Sequence, residues 1–296
     1  MRTLKVLSVS SLLIPLLLVS ACGSPDSTSS TASTTPNIVA AFYPLQYAAQ
    51  QVGGSDVTVK NLTQPGVEPH DLELSAAQVA EISQADLVLY IKGFQPAVDD
   101  AIAQQALDRS IDVTSALELL SGPDGADPHV WLDPANMSKI GEIIAGRLST
   151  IEPTKAAAFA RNSSALTNSM KALTTEFTSG LARCKTKSLV VSHDAFGYLA
   201  HVFGFTQVGI SGLNPEAEPS PARMRDVAEV IRANNVTTIY YETLVDPKVA
   251  QTIADETGAA AVMLDPLEGL GPSSTGDYLS VMKSNLATLK QGQRCS

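Results

Sequence analysis

From Glu152 to Cys184 the chain reads EPTKAAAFARNSSALTNSMKALTTEFTSGLARC. After Pro153 it carries no proline, and its single glycine, Gly180, lies close to the end. Phe159, Leu166, Met170, Leu173, Phe177 and Leu181 recur at spacings of three, four and seven, which is one apolar stripe on a helix. At 1.5 Å per residue, about 28 helical residues span roughly 42 Å, the height of a whole lobe. Such a helix in mid-chain is a stiff strut between two halves, and it predicts a small tilt of those halves in place of a wide hinge opening.

On either side of the strut, short apolar runs alternate with helical patterns. In the first half NIVAAF (37–42), DVTVKNL (56–62) and DLVLYI (86–91) read as strands, separated by YPLQYAAQQVGG and SAAQVAEISQA, the latter with Ser75 as N-cap. In the second half SLVVSH, FTQVGI, TTIYYE and AAVML alternate with helices in the same way. This alternation predicts an α/β fold of two lobes with mainly parallel sheets. An internal echo supports two lobes of similar build: residues 68–90 and 216–241 each carry a Pro-containing loop, a serine N-cap, a helix containing Val-Ala-Glu and a strand. The expected organisation is an N-terminal lobe over 37–150, the linking helix over 151–183 and a C-terminal lobe over 184–296.

The N-terminus reads differently. Arg2 and Lys5 precede the apolar run VLSVSSLLIPLLLVSAC, which has the charged start and short core of a secretory signal. Its end, VSAC, has small residues before Cys22 and has the form of a bacterial lipobox, so residues 1–22 read as a lipoprotein signal with Cys22 as the lipidation site. Residues 23–36 are a Ser/Thr-rich tether with little to bury. The expected location is extracytoplasmic, anchored by lipid to the cell membrane. Outside the cytoplasm the remaining pair, Cys184 and Cys295, is expected to form a disulfide that staples the C-terminal tail to the second half. The formal net charge of −10 argues against nucleic acid, which requires a basic surface, and gives no attraction to anionic lipid.

The chain has four histidines, and the chemistry rests on three of them. His70 in GVEPHDLEL, His129 in DPHVWLDP and His193 in VVSHDAFGY each leave a strand or loop beside an acid or proline. Ligands of α/β sheets bind at the C-terminal ends of strands, and three imidazoles converging there would supply three quarters of a tetrahedral zinc site. A fourth donor is available in VMLDPLEGL, as Asp265 or Glu268; Asp265, nearer the strand end, is the preferred of the two. His201 lies within a helix and reads as a packing or capping residue. Trp131, the only tryptophan, is expected to pack and hold its loop, with Asp133 and Pro134 as the N-cap and first residue of the next helix.

Five separated motifs, AAFYPLQYAAQQVGG, PGVEPHDLELS, DPHVWLDPANM, SHDAFGYLA and LDPLEGL, occur in order over nearly the whole chain after the tether. Together they resemble the zinc- and manganese-binding solute-binding lipoproteins of ABC importers, the ZnuA/AdcA type of cluster A-I. The resemblance implies two α/β lobes joined by one long rigid helix with the metal between them. It carries His70, His129 and His193 over as ligands, with an Asp or Glu of LDPLEGL as the fourth. It implies Zn(II) as the transported ligand, an ABC permease with its ATPase as partners, a monomer, and no enzymatic activity. Mn(II) is the nearer rival, but manganese members tend to carry Glu where this chain has His193. Many zinc members carry a long His-rich loop before the second ligand; SGPDGADP here is short and has none. A different class of reading, a zinc hydrolase, needs an open metal position with Glu268 or Glu68 as base, and no nucleophile elbow or oxyanion signature accompanies it.

Overall fold

The computed structural model describes residues 35–296 other than Asp124 and Ser273. The signal segment, Cys22 and the tether up to residue 34 lie outside the described residues. Among the described residues no helix is long and apolar enough to cross a membrane.

The first half builds a four-stranded sheet from β1 (Asn37–Ala40), β2 (Thr58–Asn61), β3 (Leu87–Tyr90) and β4 (Ser110–Asp112), all parallel, in the order β2-β1-β3-β4. Helices α1 (Tyr43–Gly53), α2 (Ala76–Gln84) and α3 (Pro96–Gln105) connect them, and a two-residue hairpin, β5 (Ser121–Gly122) with β6 (Gly125–Ala126), follows β4. Three features of this half were not anticipated from the sequence: the edge strand β4, the β5–β6 hairpin and helix α3. The three residues of β4 are all half-buried, too short and too mixed to show an alternation.

Two long helices follow. α4 (Pro134–Ile151) starts as expected: Asp133 caps it by accepting from the Ala135 N–H, with Pro134 in the first turn. A short 3-10 turn, Pro153–Lys155, leads into α5 (Ala156–Leu181). At 26 residues, α5 is about 39 Å long, and all six residues of the predicted stripe are buried. It packs on α1 and α4 of the first half. The approach to α4 is close because Gly141 has no side chain: a Cβ there would lie 2.7 Å from Leu166 Cδ2.

The second half repeats the first. β7 (Ser188–Val191), β8 (Thr206–Gly209), β9 (Thr238–Tyr241) and β10 (Ala260–Met263) form a parallel sheet in the order β10-β9-β7-β8. Read from the other edge, this is the order of the first sheet, with β7 and β9 in the places of β1 and β3. Helices α6 (Gly197–Phe203), α7 (Pro221–Ala233), α8 (Lys248–Thr257) and α9 (Tyr278–Gly292) complete it. The echo in the sequence falls on equivalent elements, α2–β3 and α7–β9. Ser75 and Ser220 cap the two helices, each hydroxyl accepting from the N–H three residues on.

Side chains of the first sheet, α4, α5 and the inner face of the second half form one continuous apolar core, while Val190, Val227, Ile231, Ile239 and Ile253 form a smaller one with α7 and α8. The far end of α5 reaches α6 and α9, with Phe177 against Phe203 at 5.0 Å between ring centroids. Just beyond it, the Cys184–Cys295 disulfide joins the C-terminal tail to the start of the second half. Phe177→Ala should lower unfolding free energy by about 3–5 kcal/mol, the cost of emptying a buried aromatic site, measured by urea denaturation. A loss below about 1 kcal/mol would show that the strut does not depend on this contact.

Candidate metal centre

The three histidines singled out in the sequence meet in space. His70 follows β2, His129 sits in the loop that enters α4, and His193 follows β7 directly; with Glu268, which follows β10, they place one donor atom each within 4.8 Å of one another, all buried. Glu268 Oε1 lies 3.1 Å from His129 Nε2, 3.1 Å from His193 Nε2 and 3.6 Å from His70 Nε2. Donors bound tetrahedrally at zinc distances are about 3.3–3.5 Å apart, so the spacing matches a metal-sized gap. Polar atoms so deeply buried are normally paired, yet His70 Nε2, His129 Nε2 and Glu268 Oε2 have no hydrogen-bond partner among the described residues. They need a cation or protons.

The opposite edges of two rings are pinned. His129 Nδ1 is 2.7 Å from Asp127 Oδ1, which also accepts the His129 backbone N–H at 2.9 Å. His193 Nδ1 is 2.8 Å from Glu242 Oε1, which also accepts from the Ser192 hydroxyl at 3.0 Å. These carboxylates fix ring orientation and make Nε2 a better donor. The sequence reading did not single out either of them. Asp127 stands two residues before His129, and Glu242 ends the TTIYYE run immediately after β9, so both carried a signal: an acid at a strand end or beside a ligand.

Asp265, preferred in the sequence as the fourth donor, is not in the cluster. Its Oδ1 accepts the Leu267 N–H at 2.7 Å, and its backbone is held by Asn285, through Asp265 N–H to Asn285 Oδ1 at 3.1 Å and Asn285 Nδ2–H to Asp265 O at 2.7 Å. Proximity to the strand end was misleading because the turn from Asp265 to Glu268 reverses direction at Leu267, whose φ of 60° is left-handed. That turn consumes the Asp265 carboxylate and swings Glu268 inward.

Trp131 is fully buried and touches His129, Phe42 and Phe94 rings. It does more than hold its own loop, because its Nε1–H donates to Pro266 O at 2.7 Å in the segment that carries Glu268. Tyr278 Oη donates to Trp131 O at 2.6 Å, and Tyr198 Oη, from α6, donates to Asp127 O at 3.1 Å. His201 stays outside, exposed near the end of α6.

Electrostatics follows from this packing. Burial opposes charge on His193, but Glu268 and Glu242 outweigh it and push its pKa up to about 10. For His129 burial again opposes, and the Asp127 and Glu268 carboxylates beside the ring raise the pKa above the ordinary value. Burial dominates at His70, whose pKa is lowered. Burial would raise Glu268; the three imidazoles hold it well below the carboxylate range. Glu68 is pushed up to about 8 by burial and by Glu268 beside it.

Two four-stranded parallel sheets and a continuous helix against both halves give the fold of the cluster A-I solute-binding proteins, with a closed, nitrogen-rich cluster where the halves meet. The chain belongs to the family described as zinc-uptake complex component A, periplasmic, which matches residues 38–292. It is 36% identical over 277 residues to the zinc-binding lipoprotein AdcA of Streptococcus pneumoniae, covering 86% of this chain and 55% of that protein. The chain thus spans about half the length of the AdcA relatives it matches. It is 30% identical to the high-affinity zinc uptake system protein ZnuA of Bacillus subtilis, covering 93% of both chains. Zn(II)-bound AdcA from Streptococcus pneumoniae superposes with a TM-score of 0.76 at 37% identity, over 88% of this chain and 58% of that one.

In metal-free protein, Glu242→Gln should bring the His193 pKa down from about 10 toward the ordinary value near 6.5, because the replacement removes the carboxylate charge. Imidazole NMR titration after chelator treatment reads it. An unchanged pKa would show that Glu242 does not hold the ring.

Proposed function

We propose that this protein captures Zn(II) outside the cytoplasm and delivers it to an ABC permease driven by its ATPase. His70, His129, His193 and Glu268 are the four ligands in this reading, and Asp127 and Glu242 orient two of the rings. The observation that carries it is the closed cluster itself: three buried Nε2 atoms around one carboxylate oxygen at 3.1, 3.1 and 3.6 Å. Cys22 is the lipid-bearing residue, residues 23–36 the tether, 37–150 and 184–296 the two lobes and 151–183 their link, and the protein works as a monomer. Zinc is the cargo in preference to manganese, since imidazole suits zinc and manganese favours more oxygen donors. Zinc-binding relatives at 30% identity and above support the same choice. A hydrolase needs a metal position open to water; with Glu268 as the fourth ligand no such position is left, which supports a binding protein over an enzyme.

Competition calorimetry should find one tight zinc site and weaker manganese binding. Glu268→Ala should lower zinc affinity by more than the roughly 10–100-fold that changes outside the ligand set cost, while Asp265→Asn, which keeps the acceptor for Leu267, should alter it less than about twofold. A larger loss in Asp265→Asn, or a manganese preference, would overturn the assignment. In cells lacking any other zinc importer, His129→Ala should abolish growth under zinc chelation.

Zinc affinity should also fall with pH. His193 in the empty cluster holds its proton up to about 10, so binding displaces it, and each displaced proton weakens apparent affinity about tenfold per unit of acidification. Affinity that stays flat between pH 8 and pH 6 would contradict ligation by His193.

A further inference from the structure

Glu268 reaches the three histidines from a turn whose geometry is costly. Leu267, the residue before it, has a φ of 60°, which a side chain larger than glycine adopts only when its surroundings hold it there. Both ends of the peptide unit between Pro266 and Leu267 are pinned. The Leu267 N–H donates to Asp265 Oδ1 at 2.7 Å, within the second half. The Pro266 carbonyl accepts from Trp131 Nε1 at 2.7 Å, which belongs to the first half. Rotating Leu267 to an ordinary φ turns this peptide unit and breaks both bonds, and the residue displaced next is Glu268.

Trp131 is itself immobilised. Its ring packs against Phe42, Phe94 and His129 at 4.8, 5.5 and 5.2 Å between centroids. Its carbonyl accepts from Tyr278 Oη, whose ring stacks on Tyr47 at 5.2 Å. The same segment is fastened a second time, by Gly66 N–H to Leu270 O at 2.8 Å. Gly66 has a φ of 86°, and a Cβ there would lie 2.6 Å from Pro272.

We infer that Trp131 is a positioning residue for Glu268: by fixing the Pro266 carbonyl across the seam, it sets where the fourth donor stands relative to His129, two residues away from it in the chain. One indole therefore ties His129, from the first half, to Glu268, from the second. The inference rests on the proposed ligand set and adds a residue that touches no metal. It distinguishes Trp131 from a core tryptophan, whose loss would weaken the site only through general loosening or through the His129 ring it packs against.

A double-mutant cycle on the full chain separates these cases. Zinc affinity is measured by competition with a chromophoric chelator for the wild type, Trp131→Phe, Glu268→Ala and the double variant. Trp131→Phe keeps an aromatic ring and deletes the N–H. A positioning role predicts about a tenfold loss in the wild-type background, within the range for residues that orient ligands, and less than about twofold in Glu268→Ala. Tyr278→Phe, which deletes only the hydroxyl that donates to Trp131 O, should show the same dependence on Glu268 with a smaller loss, and it decides the matter if Trp131→Phe does not fold. An equal loss in both backgrounds, or none in the wild type, overturns the inference alone. A wild type that takes no zinc, or a Glu268→Ala variant that binds as the wild type does, refutes the functional reading and this inference with it.

Discussion

An ionised carboxylate without water is stable only where opposite charge surrounds it, and removing one from water costs several kcal/mol. Glu268 is buried at the seam between the two halves with no water-facing side, and the arrangement of both halves serves to surround it. Three Nε2 atoms face it. Two of those rings cannot turn away, because Asp127 and Glu242 hold their Nδ1 edges. Protons retained on the imidazoles offset the charge in the metal-free cluster, which is why His193 holds its proton far above neutrality. A divalent cation in the same place would offer all four donors one common partner.

The fold brings these donors together through a shared topology. Each half orders its strands in the same way, and each directs the C-terminal ends of its strands toward the seam. Ligand-bearing loops of α/β sheets lie at such ends. His193 leaves β7 at once, and Glu268 leaves β10 after a short turn. His129, on the long excursion after β4, occupies the topological counterpart of the Glu268 segment. The single helix α5 holds the two sheets at a fixed separation with its buried stripe, and the cross-seam bonds from Trp131, Tyr278 and Tyr198 set the finer distances. A cluster built from both halves therefore depends on interactions at two scales, an apolar strut about 39 Å long and hydrogen bonds of about 3 Å.

Much of this was legible along the chain. The stripe from Phe159 to Leu181 announced α5, because a helix repeats its buried face locally. Ser75, Ser220 and Asp133 announced helix starts, because capping is a contact between a side chain and an amide two or three residues on. The echo between the Ser75 and Ser220 segments anticipated two lobes of similar build. Three of the four cluster residues could be named because histidine is rare here and each of the three sits at the exit of a strand or loop. The Cys184–Cys295 pair followed from its expected compartment.

Neither the choice between Asp265 and Glu268 nor the cross-seam role of Trp131 could be read that way, and the positions of Asp127 and Glu242 were too weak a signal to single them out. Asp265 is nearer its strand, but direction in a turn depends on φ at Leu267, and that angle is maintained by a bond from Trp131, 135 residues away in sequence. Glu242 is one acid among many until His193 is set beside it, 49 residues away along the chain. Most of the elements, their caps and the supply of donors were readable from the chain, because they rest on contacts between near neighbours. Which donors face one another was set by the folded arrangement, because it depends on pairings across the seam that local periodicity does not encode.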